Sequence, residues 1–147
     1  MLMADKIKNL LIVDDDHLQT VFIKQVFREI EPEVQVETID TSEKLLGRLQ
    51  SRFSFPSLIL LDFQLSGESG IEVLQQLKQT EHVQNIPVIV FSGNAKPEDV
   101  RKCYELKASS FMKKPHSPEG YYQFAETICF LLDTKFKVKQ TKYKKTV

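Results

Sequence analysis

The chain contains no tryptophan and has few cysteines and glycines. Of its 147 residues, two are cysteines and five are glycines. Cys103 and Cys129 lie within helical patterns and lack metal-ligand spacing, which excludes a disulfide framework and a zinc-type cluster. We interpret both as small apolar side chains of a reduced, cytoplasmic protein.

Long apolar runs are also missing. The longest, Ile128 to Leu132, has five residues, whereas a helix that crosses a bilayer needs about 20. The first ten residues contain lysines but no apolar stretch of the length found in signal peptides. The sequence therefore predicts no membrane segment and a cytoplasmic location.

The charges balance overall, with twenty basic and twenty acidic residues, but they are distributed unevenly. All the acidic residues lie at or before Asp133, and six lysines follow it: Lys135, Lys137, Lys139, Lys142, Lys144 and Lys145. The part of the chain before these lysines is therefore acidic, whereas a nucleic-acid-binding domain is usually basic. We expect no nucleic-acid-binding domain in this chain. The length favours one domain at residues 1–134, followed at 135–147 by a basic tail expected to be disordered or frayed.

Two apolar runs that end at carboxylates carry most of the information. Leu10 to Val13 precedes the aspartates at 14–16, and Leu58 to Leu61 precedes Asp62. Without helical spacing, such runs are typical of strands buried on both faces of a parallel sheet. Ligands bind beyond the carboxyl ends of the strands in an open α/β sheet. We therefore expect these carboxylates to crowd one crevice, where their mutual repulsion calls for a cation.

Strand-like and helix-like segments alternate along the chain. Strands are predicted at about 10–13, 34–39, 57–61, 88–91 and 109–112, each followed by a helix, the first at 17–30 and the last at 118–134. Asp16 is expected to cap the first helix. This alternation predicts an α/β fold, a doubly wound five-stranded parallel sheet with five helices.

The last two strands add a hydroxyl and an ammonium group to the predicted crevice. The fourth strand ends at Ser92-Gly93, and the fifth is followed by Lys114-Pro115. Acids, a hydroxyl and an ammonium group together suit phosphoryl transfer, which depends on positioning and on neutralising charged oxygens. Carboxylates with waters and a carbonyl are also the ligands that Mg²⁺ accepts.

Four motifs stand in a fixed order: Val-Asp-Asp, Leu-Leu-Asp-x-x-Leu-x-Gly-x-x-Gly, Ser-Gly and Lys-Pro. This combination resembles the response-regulator receiver family of two-component signalling, over about residues 7–134. The resemblance implies a flavodoxin-like sheet of strand order 2-1-3-4-5. The stretch at 103–108 and the long aromatic last helix are also similar to stand-alone receivers that partner phytochromes. The 13 residues after position 134 are too few to fold alone as an output domain.

The resemblance also implies roles for individual residues. Asp62 would be the phosphorylation site, accepting phosphate from a sensor histidine kinase or a histidine phosphotransfer protein in a phosphorelay. Asp14, Asp15 and Asp62 would bind Mg²⁺ together with the backbone carbonyl of Gln64. Such a protein is not an enzyme beyond catalysing its own phosphorylation and dephosphorylation.

Further residues would bind the phosphoryl group and transmit its presence. Ser92, Gly93 and Lys114 would contact it, Phe111 would change its rotamer, and the bond before Pro115 is expected to be cis. Phosphorylation adds about two negative charges. The surface of the fourth helix, fifth strand and fifth helix would then change shape, and we expect self-association through it.

The sequence departs from the family pattern at several positions. Ser66 stands where the family usually has proline, which leaves that loop less rigid. Lys107-Ala108 replaces the usual Gly-Ala before the fifth strand. Phe111 lacks the hydroxyl of the tyrosine often found at its position, so its two rotamers would differ only in packing.

Two alternatives remain open from the sequence. In a phosphohydrolase similar to the haloacid dehalogenases, Asp14 would be the nucleophile and Asp16 the acid/base, but Leu18 and a missing late acidic motif depart from that family. A pseudo-receiver would be a binding module that is not phosphorylated. Such modules normally lack an acid, the lysine or the hydroxyl, and this chain has all of them.

Overall fold

The computed structural model describes residues 8–51 and 54–132. Its main sheet has five parallel strands, and the first strand of the chain lies between the second and the third, followed by the fourth and the fifth, which confirms the predicted fold. The strands are β1 (Asn9–Val13), β2 (Gln35–Ile39), β3 (Leu58–Asp62), β4 (Val88–Ser92) and β5 (Ser110–Lys113). The helices are α1 (His17–Ile30), α2 (Ser42–Leu49), α3 (Gly70–Gln79), α4 (Pro97–Glu105) and α5 (Pro118–Leu131).

Helices cover both faces of the sheet, and the strand side chains alternate between two cores. One core contains Leu11, Val13, Ile59 and Leu61, with side chains from α2, α3 and α4. The other contains their sequence neighbours, such as Leu60, with side chains from α1 and α5. Every residue of β3 and β4 is buried, as expected for strands covered on both sides.

The register of the strands places the polar residues that follow them. Val13 lies opposite Leu61, so Asp14 and Asp62 leave the sheet next to each other. Ser92 lies opposite Lys113, and the Lys114 amide donates a hydrogen bond of 2.8 Å to the Ser92 carbonyl. The acids and the lysine therefore reach the same edge of the sheet.

Side-chain caps fix where the helices begin. The Asp16 carboxylate accepts a hydrogen bond of 3.1 Å from the Gln19 amide, which confirms the predicted cap of α1. Thr41, Ser69 and Ser117 cap α2, α3 and α5 in the same way.

The lysine-rich segment at 135–147, predicted to be a disordered or frayed tail, lies outside the described residues.

A short antiparallel hairpin follows β3, and the sequence pattern did not predict it. Gln64–Leu65 pairs with Glu68–Ser69, and Gly67 in the turn between them has a φ of 76°. This left-handed conformation favours glycine because glycine has no Cβ.

None of the helices in the described part of the chain is long and apolar enough to cross a bilayer.

Candidate functional site

Three carboxylates meet at the carboxyl edge of the sheet. Asp14, Asp15 and Asp62 each offer one oxygen, and these oxygens all lie within 4.8 Å of one another. Asp14 is 1% exposed and Asp62 is 6% exposed, whereas Asp15 is half-buried. The structure therefore brings together the three acids that the sequence analysis placed at this edge.

A backbone amide two residues further along holds each buried carboxylate. The Asp16 amide donates to Asp14 Oδ1 at 2.9 Å, and the Gln64 amide donates to Asp62 Oδ1 at 3.2 Å. Burial raises the pKa of Asp14 to about 6, and the negative charge of Asp62 adds to this, although the Asp16 hydrogen bond and Lys114 oppose it. The shift records the energetic cost of keeping a buried carboxylate charged, to which the neighbouring carboxylate adds.

Asp15 is held differently, by a residue in the loop after β3. The Ser66 amide donates to Asp15 Oδ2 at 3.0 Å, and the Ser66 hydroxyl donates to the same oxygen. The hydroxyl bond is the main cause that lowers the pKa of Asp15 below its ordinary value. Asp15 therefore stays charged in the pH range where Asp14 takes up a proton.

Lys114 supplies positive charge to the cluster. Its Nζ lies 3.3 Å from Asp62 Oδ2 and 3.5 Å from Asp14 Oδ2, and 4.7 Å from the centre of the Phe91 ring. The ring lies below the ammonium group and attracts it through its negative face. One ammonium group faces three carboxylates, so the site keeps an excess of negative charge that a divalent cation can neutralise.

The remaining predicted residues surround this cluster. Ser92 is buried at the end of β4, and its hydroxyl accepts a hydrogen bond of 3.1 Å from the Asn94 amide. Gly93, next in the chain, is exposed. The side chain of Gln64 is also exposed, and its amide contact with Asp62 places its backbone beside the acids.

Phe111 lies in β5, where its side chain is half-buried beside the residue that follows Asp62. Its ring is 6.1 Å from that of Phe63, at an interplanar angle of 60°. Its backbone amide donates a hydrogen bond of 3.1 Å to the hydroxyl of Tyr104 in α4. Phe111 is therefore connected both to the residue after Asp62 and to α4.

The prediction that the peptide bond before Pro115 is cis is wrong. No peptide bond in residues 8–51 and 54–132 is cis. The trans form of a bond before proline is favoured by about 0.5–1 kcal/mol unless tertiary contacts reverse the preference. Lys114 reaches Asp14 and Asp62 with this trans bond in place.

Sequence reasoning missed the contacts of Ser66 and Phe91. Ser66 stood out as a departure from proline, but its contact with Asp15 joins residues 51 positions apart. Phe91 was predicted as a strand residue, and its place below Lys114 follows from the pairing of β4 with β5. Of these two, the sequence signalled only Ser66.

The donor set of this edge fits a hard divalent cation. Mg²⁺ prefers oxygen ligands at about 2.0–2.1 Å, so opposite ligands lie about 4.2 Å apart. The three carboxylate oxygens lie within 4.8 Å of one another, close enough to bind one cation together. The buried charge of Asp14 would also be relieved by a cation.

A doubly wound five-stranded sheet with this acid cluster and a lysine defines a class of signalling domain. Residues 10–125 match the response regulator receiver domain, and the chain belongs to this family. Members of the family are signalling proteins that typically bind Mg²⁺ through such an acidic cluster.

Curated relatives cover most of the chain. The polar-differentiation response regulator DivK of Brucella ovis is 33% identical over 121 residues, which cover 82% of this chain and 93% of that protein. The probable methanogenesis regulatory protein FilR2 of Methanothrix harundinacea is 28% identical over 123 residues, 81% of this chain and 79% of that protein.

Solved structures share the fold. The phosphorylated cyanobacterial phytochrome response regulator RcpA has a TM-score of 0.80 at 23% identity, covering 90% of this chain and 98% of its own. The Mn²⁺-bound form of response regulator Rcp1 has a TM-score of 0.76 at 24% identity, covering 89% and 99%. These similarities confirm the predicted fold.

Proposed function

We propose that this chain acts as a response regulator that is phosphorylated on Asp62 by a sensor histidine kinase or a histidine phosphotransfer protein. The observation that carries the proposal is the position of the Asp62 carboxylate. It is buried among two further acids, and its Oδ2 lies 3.3 Å from the Lys114 ammonium group. We place this function in one receiver domain at residues 1–134, in the cytoplasm.

The acid cluster would hold Mg²⁺ through Asp14, Asp15, Asp62 and the backbone carbonyl of Gln64. The cation supplies positive charge that lets a carboxylate and a phosphate approach each other despite their like charges. The oxygen donors, their spacing and the raised pKa of Asp14 support this assignment.

The transfer itself uses few groups of the chain. An Asp62 oxygen attacks the phosphorus of the phosphohistidine, the phosphorus–nitrogen bond breaks, and the donor imidazole takes up a proton.

After the transfer, Lys114 would pair with the phosphoryl oxygens instead of the Asp62 carboxylate. The Ser92 hydroxyl and the Gly93 amide would donate to the same group, and Phe111 would turn inward as the loop after β4 moves. The bias required is a few kcal/mol between two existing states.

Mass spectrometry with a small phosphodonor tests the phosphorylation. Intact-mass analysis after treatment with acetyl phosphate and Mg²⁺ should show one added phosphoryl group in the wild type. Asp62→Asn should abolish this addition because the nucleophile is lost. Asp16→Asn is the matched control, since asparagine also caps helices. A label that survives Asp62→Asn but is lost in Asp14→Asn would favour the phosphohydrolase alternative, whose nucleophile is Asp14, and end the proposal.

We also propose that phosphorylation promotes self-association through α4, β5 and α5. Large apolar side chains are exposed on both helices: Tyr104 on α4, and Phe130 and Leu131 on α5. Sedimentation velocity of the beryllofluoride-bound chain at high micromolar concentration should show a dimer, whereas a monomer would contradict this part of the proposal.

A further inference from the structure

We propose that Ser66 is a positioning residue that holds the Asp15 carboxylate in the orientation from which it binds the divalent cation. The inference rests on the proposed function, because the cation site is part of it. It concerns a position where this chain departs from the proline usual in its family.

The contact joins two loops that are distant in sequence. Asp15 follows β1, and Ser66 lies in the hairpin after β3, 51 positions away. Both donors of Ser66, its amide and its hydroxyl, reach the same oxygen, Asp15 Oδ2. The other oxygen, Oδ1, takes no part in this pair of hydrogen bonds.

Asp15 needs this support more than its two acidic neighbours do. Asp14 and Asp62 are buried, and each is fixed by the amide two residues ahead. Asp15 is half-buried and follows Asp14 directly in the chain. Repulsion from two nearby carboxylates favours rotamers that carry its charge into solvent, and the two Ser66 donors oppose that movement.

The residue type matters at position 66. Proline has no amide hydrogen and no hydroxyl, so a chain with proline there cannot make either contact. Hydrogen-bond partners of metal-ligating groups typically change metal affinity about 10–100-fold when they are removed. In this chain Ser66 would therefore set the Mg²⁺ affinity through the orientation of Asp15.

Calorimetric titration of the full chain with Mg²⁺ tests the inference directly, since the chain has no tryptophan to report binding. Ser66→Ala should weaken Mg²⁺ binding about tenfold, because the hydroxyl donor is lost. Ser66→Thr keeps both donors and should bind within about twofold of the wild type. Thermal unfolding in EDTA, with no cation present, shows any purely structural effect of the same variants.

A double-mutant cycle shows whether the effect passes through Asp15. In an Asp15→Asn background, Ser66→Ala should not weaken Mg²⁺ binding further. Equal losses in both backgrounds, or a loss in Ser66→Thr as large as in Ser66→Ala, would overturn the inference. Unchanged or tighter binding in Ser66→Ala would overturn it too and leave the proposed function intact. A wild-type chain that binds no Mg²⁺ would instead overturn the proposed function.

Discussion

Asp14 combines near-complete burial with a charge that the fold must tolerate at neutral pH. Its pKa rises from 3.8 to about 6, chiefly through burial. Between these values the folded chain keeps a proton that the unfolded chain has lost. Stability therefore falls as the pH rises from about 4 to 6, and the loss is complete above the folded pKa.

Urea denaturation in EDTA tests this linkage. The free energy of unfolding should fall by about 2 kcal/mol relative to Asp14→Asn between pH 4 and pH 7. The asparagine variant still accepts the Asp16 amide bond and has no proton to lose. The lowered pKa of Asp15 acts in the opposite sense, with stability lost as the pH falls below about 4, outside this window. Parallel stability curves for the two proteins would contradict the prediction.

Lys107 is strained by its backbone conformation. It follows α4 with a φ of 70°, and the amides of Lys107 and Ala108 bond back to the carbonyls of Tyr104 and Cys103. This is the Schellman arrangement, in which glycine is preferred because the left-handed region costs other residues about 1–2 kcal/mol.

We expect Lys107→Gly to stabilise the chain by about 1 kcal/mol, measured by urea denaturation. Lys102→Gly is the matched control, because the same exchange within α4 should destabilise by about 1 kcal/mol. The same sign for both variants would show that backbone strain at Lys107 is not the cause.

At the scale of elements, the junction between the hairpin and α3 has no room for a side chain. A Cβ at Gly70 would lie 2.8 Å from the carbonyl oxygens of Asp62 and Phe63. The Gly70 amide also donates to the Phe63 carbonyl at 2.6 Å. The start of α3 is therefore packed directly against the backbone that presents Asp62.

Gly70→Ala should destabilise the chain by about 3 kcal/mol, since the backbone must move to admit the methyl group. Gly47→Ala provides the contrast, because Gly47 lies within α2 with nothing within 4 Å of its Cβ position. That variant should stabilise by about 0.5–1 kcal/mol. Chemical denaturation of both variants checks the pair, and a neutral Gly70→Ala would contradict the close packing.

The strands were predictable from sequence to within one or two residues. Runs such as Leu58 to Leu61 are apolar on both faces, and each ends at a polar residue. The hairpin after β3 was not predictable, because strands of two residues are too short to show alternation. The acid cluster followed from the strand ends, since the register of β1 on β3 fixes Asp14 beside Asp62. The Asp15–Ser66 contact depends on side-chain rotamers in two loops, which no local pattern encodes.

At the scale of the whole molecule, one sheet joins two apolar cores. Leu60 and Leu61 are adjacent and fully buried, but Leu60 lies in the core with α1 and α5, and Leu61 in the core with α2, α3 and α4. Because β3 is shared, loss of packing in either core weakens the same strand.

Leu60→Ala and Leu61→Ala should each lower the free energy of unfolding by about 2–5 kcal/mol. Each variant should keep a single unfolding transition, since both cores depend on the same sheet. Circular dichroism and near-ultraviolet absorbance followed during urea denaturation measure this. Separate transitions in either variant would show that the two cores unfold independently.

The acids and the lysine of the site are attached to strands that differ in the number of neighbouring strands to which they are hydrogen-bonded. Asp14 follows β1 and Asp62 ends β3, and each of these strands is hydrogen-bonded to two neighbouring strands. Lys114 follows β5, which pairs with β4 alone and is otherwise tied by the Tyr104 hydroxyl to α4. Central strands therefore carry the negative charge of the site, and an edge strand carries its positive charge. When the charge of the site changes, we expect the edge strand to move more easily than the central strands, because it is hydrogen-bonded to one neighbouring strand instead of two.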